Sequence, residues 1–164
     1  MLILRKIDPS DLNLLYDWEN DSSSWADGDT HNPLSHQDLS DYLAATTGDC
    51  FRDGQLRMVA ESDGEAVGCV DLYDLDARNR KAGVGIYIAP AYRDRGLAAE
   101  ALRQLHTLAF THLGLEMLYA FVSVDNAQSS ALFRSLGYHP SSPLPRWTLE
   151  SDAVIWQVWV SKNK

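Results

Sequence analysis

Ile86-Tyr87-Ile88-Ala89-Pro90-Ala91-Tyr92-Arg93-Asp94-Arg95-Gly96-Leu97-Ala98-Ala99-Glu100-Ala101-Leu102 is the stretch around which the chain is organised. An apolar strand stops at a proline, a turn sets two arginines around one glycine, and a helix begins at once. A helix N-terminus leaves backbone N–H groups unpaired and carries positive dipole charge, which suits an anion. Gly96 lets backbone approach a ligand closely, and Leu97 and Ala98 place no polar side chain in the way. Arg93 and Arg95 add charge-assisted donors suited to phosphate oxygens. This strand–turn–helix reads as a pyrophosphate cradle.

Upstream, Leu56 to Ser62 and Ala66 to Leu72 read as strands joined at Asp63-Gly64, a strong hairpin turn. A third antiparallel strand, Ala82 to Ile88, leads into the cradle. Gly83 and Gly85 alternate along it, which fits either close approach of a ligand or a bulge. Downstream, the helix from Gly96 carries Leu97, Ala101, Leu102, Leu105, Leu108 and Ala109 on one face and ends near His112-Leu113-Gly114. Glu116 to Val122 is then a strand parallel to the one before the helix, in a right-handed crossover. Asp125-Asn126 caps a short helix, Gly137 turns it, and two runs, Leu144 to Leu149 and Ala153 to Val160, close the chain as a hairpin. At the front, Leu2 to Ile7 is a strand. Pro9 to Glu19 reads as a helix, and Ser35 with Asp38 opens a second through Leu39, Tyr42 and Leu43.

Two segments in this order carry a family resemblance. Arg93-x-x-Gly96-x-Ala98 after Ala89-Pro90 resembles the acetyl-CoA signature of the GNAT superfamily of N-acetyltransferases. Asn126-Ala127-Gln128-Ser129-Ser130-Ala131-Leu132-Phe133-Arg134-Ser135-Leu136-Gly137-Tyr138 resembles that family's second conserved segment. The opening Leu4-Arg5-x-Ile7-x-Pro9-x-Asp11-Leu12 is similar to the branch holding spermidine and ribosomal-protein acetyltransferases. The resemblance implies a mixed α/β fold with a central, mostly antiparallel sheet of about seven strands. A parallel crossover (fourth strand, third helix, fifth strand) and about four flanking helices complete it. With no internal repeat or linker, residues 1–164 read as a single domain.

Composition agrees with one globular unit: 164 residues, 45% apolar and 23% charged, with no apolar run near the ~20 residues of a membrane helix. The N-terminus lacks a signal-peptide pattern, and Cys50 and Cys69 have neither metal-like spacing nor the density of a disulfide framework. A cytoplasmic protein without a metal is expected. Net charge is −9, and residues 8–49 hold ten carboxylates without a lysine or arginine. That balance disfavours nucleic acid, whose binding is driven by phosphate neutralisation. It either attracts a cationic small molecule or peptide or merely solvates two helices.

The resemblance implies direct attack of an amine on the thioester of acetyl-CoA. By it, the backbones of Ile86 and Ile88 hold the pantetheine arm where this strand splays from its neighbour. Arg93, Asp94, Arg95, Gly96, Leu97 and Ala98 hold the pyrophosphate, Asn126 bonds the arm, and Arg134 meets the nucleotide phosphate. Two departures stand out. Phe133 replaces the tyrosine general acid of many relatives, so that role is either absent or moved to Ser129, Ser130 or water. Gly83 stands where polyamine acetyltransferases carry a glutamate, which leaves Asp71 as the leading base, ahead of Tyr73 and Tyr87; a solvent-facing strand residue is the alternative for Asp71. Cys69 shares a strand face with Asp71, but no partnered histidine marks it as a nucleophile. Glu19, Trp25, Asp27 and Asp29 are candidates for the acceptor, since an aromatic beside carboxylates suits an alkylammonium group; Trp25 packed under its loop is the alternative. The acceptor is expected to be a polyamine or other small cationic amine. A peptide N-terminus and a non-catalytic acyl-CoA-binding module are the alternatives, and homo-oligomerisation is left open.

Overall fold

Asp63 and Gly64 both take left-handed backbone angles, φ 52° and 84°, the turn that a two-residue hairpin requires. They join β2 (Leu56–Ser62) to β3 (Glu65–Asp76), and β4 (Lys81–Ile88) continues the meander. The computed structural model describes residues 1–23 and 32–160. β3 runs longer than the apolar stretch Ala66 to Leu72 because its polar end, through Asp76, pairs with Lys81 of β4. β1 (Leu2–Lys6) joins the far side of β2.

Local chemistry sets the helices. Asp8 accepts from the Ser10 amide and Asp11 from the Asp8 amide, which caps a single 3-10 turn, Pro9–Asp11. It feeds α1 (Leu12–Glu19), so the expected helix starts as a tighter turn. Arg5 then grips Asp11 with two 2.9 Å bonds, fixing the helix start to β1. Ser35 and Asp38 form the expected capping box of α2 (His36–Ala45). A one-turn helix, α3 (Cys50–Asp53), was missing from the sequence reading. Its marks were there: Asp49 caps it through the Phe51 amide, and Gly54 at φ 75° ends it.

β4 enters a 3-10 turn (Pro90–Tyr92), then α4 (Leu97–Thr107), extended by a π-helical turn over Leu108–His112. β5 (Met117–Ser123) pairs parallel to β4, the one parallel pairing among the described strands. α5 (Ala127–Ser135), β6 (His139–Leu144) and β7 (Ala153–Trp159) complete a seven-stranded sheet in the order β1-β2-β3-β4-β5-β7-β6. The mixed α/β expectation is met, with the short α3 making the crossover helix the fourth rather than the third among the described residues.

The tail differs from expectation. The strand before β7 is His139–Leu144, not Leu144 to Leu149, although it contains Pro140 and Pro143. β6 lies at the sheet edge and pairs with β7 alone, so two missing N–H donors are tolerated there. The residues after it turn instead, with the Arg146 amide donating to Asp152 at 2.7 Å.

Strand alternation divides the sheet into two faces. α4 and its π-helical extension lay Ala101, Leu102, Leu105 and Ala109 on the face that carries Val70 and Leu72 of β3, Ala82 and Val84 of β4, and Leu118 and Ala120 of β5. Each fully buried leucine there contributes roughly 1.5–3 kcal/mol. Cys69, Asp71 and Tyr73 of β3 point to the opposite face, towards α1.

Candidate active site

β4 and β5 pair only at Lys81/Met117, Ala82/Leu118 and Gly83/Tyr119, although β4 continues to Ile88 and β5 to Ser123. Beyond Gly83 the two strands diverge. The Ala89 amide donates to the Val67 carbonyl at 2.9 Å, so odd-numbered backbone groups of β4 face β3. Those of Ile86 and Ile88 therefore face the divergence. The Ile88 carbonyl accepts from Arg93 Nε at 2.8 Å.

The turn that follows holds two left-handed residues, Asp94 at φ 62° and Gly96 at φ 75°. A Cβ at Gly96 would meet nothing within 4 Å, so the glycine serves the backbone conformation and leaves the turn's outer side open. Gly96 caps α4 without a side chain, so no capping side chain covers the amides that follow, including Leu97 and Ala98. Arg95 lies along the turn, bonded to the Ala91 carbonyl at 3.1 Å and placed 5.6 Å from the Tyr92 ring. Gln128 of α5 donates to Asp94 at 3.2 Å, which joins the two sequence segments in space. Asn126 caps α5 through the Ser129 amide, and its carbonyl accepts from the Ser130 amide. Arg134 sits 5.3 Å over the Trp156 ring.

On the other face, Glu19 and Asp71 converge on one cation. Arg57 of β2 holds Asp71 in a fork, Nε–Oδ1 2.6 Å and Nη2–Oδ2 2.9 Å, and its Nη1 bonds Glu19. Burial works against a charge on Arg57, but Asp71, with smaller contributions from Cys69 and Glu19, offsets it and keeps the guanidinium firmly protonated. The sequence reading missed Arg57. Its position opposite Asp71 depends on a register shift between Ala60 and Glu61, and a regular hairpin from Asp63-Gly64 would have set Val70 there. Neighbouring Cys69 is buried, which pushes its thiol up to about 12 and keeps it protonated.

A second cluster ties the cradle to the segment after α1. Tyr87 donates to Asp21 at 2.7 Å, and Arg93 reaches the same carboxylate at 3.8 Å while lying 5.9 Å from the Tyr87 ring. Burial and the Asp21 bond raise the Tyr87 phenol above its usual range. Trp25, Asp27 and Asp29 lie outside the described residues. Among those described, no group of three or more His, Cys, Asp or Glu is placed to hold a metal. No helix among the described residues is long and apolar enough to cross a membrane.

Gly83 needs a reading other than ligand approach. A Cβ there would stand 2.2 Å from Cε2 and 2.3 Å from Cζ of Tyr73, so a neighbouring side chain already fills the space. Gly85 is ordinary by comparison, with Asp71 at 3.4 Å from its Cβ position. Phe133 is buried edge-on against Tyr138, ring centroids 4.9 Å apart.

A seven-stranded sheet whose one parallel pair among the described strands diverges beside a glycine-capped helix has the architecture that the acetyltransferase resemblance implied. The profile of the acetyltransferase (GNAT) domain family matches residues 1–139, and the chain belongs to that family. It is an N-acetyltransferase that uses acetyl-CoA as co-substrate. It is 30% identical over 135 residues to the spermidine N(1)-acetyltransferase of Escherichia coli (strain K12), covering 82% of this chain and 71% of that protein. A putative ribosomal N-acetyltransferase of Bacillus subtilis is 36% identical over 76 residues, 46% of this chain and 42% of the relative. The crystal structure of spermidine N-acetyltransferase from Vibrio cholerae, in complex with CoA and spermine, superposes with a TM-score of 0.86 at 21% identity. That superposition covers 96% of this chain and 95% of the other.

Proposed function

We propose that the chain acetylates a primary amine of a polyamine or other small cationic amine by direct attack in a ternary complex. The observation that carries this is the meeting of Glu19 and Asp71 on Arg57, on the sheet face beside the β4–β5 divergence. Two carboxylates over one guanidinium leave a formal negative charge close to where the thioester is expected, and residues 8–49 carry ten carboxylates without a lysine or arginine. The relatives named for spermidine support the same acceptor class.

In this reading Ile86 and Ile88 bond the pantetheine arm through their backbones. Arg93, Asp94, Arg95, Gly96, Leu97 and Ala98 hold the pyrophosphate, Asn126 the arm, and Arg134 the nucleotide phosphate. Glu19, with Trp25, Asp27 and Asp29, receives the acceptor's cationic end. Asp71, oriented by Arg57, takes the ammonium proton through water so that a neutral amine attacks. Ser130 contributes a hydrogen-bonding hydroxyl. An aliphatic alcohol is a weaker acid than a thiol, so it relays a proton rather than supplying one. Free Cys50 and Cys69 fit a cytoplasmic setting.

The test is acetyl-CoA-dependent thiol release with spermidine, spermine, amino acids and short peptides bearing free N-termini. Release with a polyamine and not with peptides is expected. Release with peptides alone would replace the polyamine by a protein N-terminus. An acetyl-CoA-induced rise in Tm without turnover of any amine would leave a binding module.

A further inference from the structure

We propose that Tyr73 is the proton donor to the departing thiolate, supplied from β3 across the strand pair; the assignment rests on the acetyl-transfer reading above. Tyr73 and Gly83 are direct partners in the β3–β4 register. The phenol ring lies over the glycine so closely that its Cζ, the carbon bearing the hydroxyl, is 2.3 Å from where a Cβ would be. Any side chain on Gly83 would expel it. The glycine is therefore a seat for a side chain arriving from the neighbouring strand.

That seat is at the apex of the divergence, because Gly83/Tyr119 is the last paired position of β4 and β5. An arm anchored at the Arg93–Ala98 turn runs back along Ile88 and Ile86 towards this apex. Five residues of strand separate Ile88 from Gly83, about 16 Å at the usual rise, comparable to an extended pantetheine arm. Its sulfur end thus arrives beside Tyr73. Tyr119 meets the Tyr73 ring edge-on, centroids 6.2 Å apart at 85°, which fixes the ring over the glycine. Tyr73 also shares its strand face with Asp71, two residues away, so base and acid stand on one side of the thioester.

Two other phenols are held away from Gly83. Tyr138 bonds His106 at 2.8 Å beneath α4, and Tyr87 donates to Asp21. Phe133 has no proton to give. In the step itself the amine lone pair forms the C–N bond, and the C–S bonding pair leaves on sulfur. The Tyr73 phenol proton passes to that sulfur to give the free CoA thiol. The excess proton on the new amide nitrogen leaves through water, which reprotonates the phenolate.

The experiment compares wild type with Tyr73→Phe. Thiol release from acetyl-CoA is followed with spermidine and without any amine, and the acetyl-CoA-induced Tm shift is recorded. Tyr73→Phe keeps the ring over Gly83 and removes only the hydroxyl. We expect kcat to fall by about 100-fold, the alkaline fall of the pH–rate profile to vanish, and the Tm shift to persist. Wild-type kcat in Tyr73→Phe, or a loss accompanied by loss of the Tm shift, would overturn the assignment. Wild type that hydrolyses acetyl-CoA but ignores spermidine would overturn the polyamine reading, and the Tyr73 comparison would then be read on hydrolysis. Wild type that releases no thiol under either condition, nor with peptides bearing free N-termini, would overturn both.

Discussion

His106 makes the stability of this protein depend on pH, by an amount the structure allows to be worked out. Its Nε2 lies 2.8 Å from the Tyr138 hydroxyl, and the Tyr138 ring packs on Phe133 of α5. Burial, with a smaller push from Arg103, lowers the imidazole from 6.5 to about 4. In the unfolded chain the ring titrates near 6.5, so between those values the unfolded state binds the extra proton. The contribution is fully present above pH 6.5 and is lost as pH falls towards 4. From pH 8 to pH 5 the two pKa values correspond to a loss of about 2 kcal/mol. The ring is only partly buried, and solvent screening holds the measured change to about 1–2 kcal/mol. Urea denaturation of wild type and His106→Gln at both pH values isolates it, because the carboxylates titrate alike in the two proteins. The stability difference between them should shift by that amount in favour of the variant at pH 5. An unchanged difference would mean that His106 is charged or solvated in the folded state, and the buried His106–Tyr138–Phe133 contact would be wrong.

Other expectations follow from single contacts. Arg57→Met removes the cation between Glu19 and Asp71 and should cost about 3 kcal/mol in urea denaturation; a cost under about 1 kcal/mol would place the trio in solvent. Gly68→Ala would drive a methyl to 2.0 Å from the Tyr87 carbonyl oxygen, so β3 and β4 must separate. Insoluble protein or a loss above about 2 kcal/mol is expected, and wild-type stability would refute that close approach. Gly96→Ala forces an L-residue to φ 75° at a cost of about 1–2 kcal/mol and should shrink the acetyl-CoA-induced Tm shift. Arg95→Ala should raise the Kd for acetyl-CoA in calorimetry at physiological salt, and an unchanged Kd would remove Arg95 from the pyrophosphate site.

The sequence by itself determined the features that depend on neighbours along the chain. The Asp63-Gly64 turn, the Ser35…Asp38 capping box and the Arg93–Ala98 turn all appear where short-range chemistry placed them. The parallel crossover followed too, because one long amphipathic helix between two apolar strands leaves little choice of topology. Tertiary structure alone decided the rest. An edge position let a strand form over Pro140 and Pro143, which local rules read as a breaker. A single register slip at Ala60/Glu61 turned Arg57 onto Asp71, where period-two counting would have sent it to the other face. The two glycines of β4 looked alike in sequence. Only the packed sheet shows that Gly83 seats Tyr73 while Gly85 does not, because the difference resides in a side chain ten residues away on another strand.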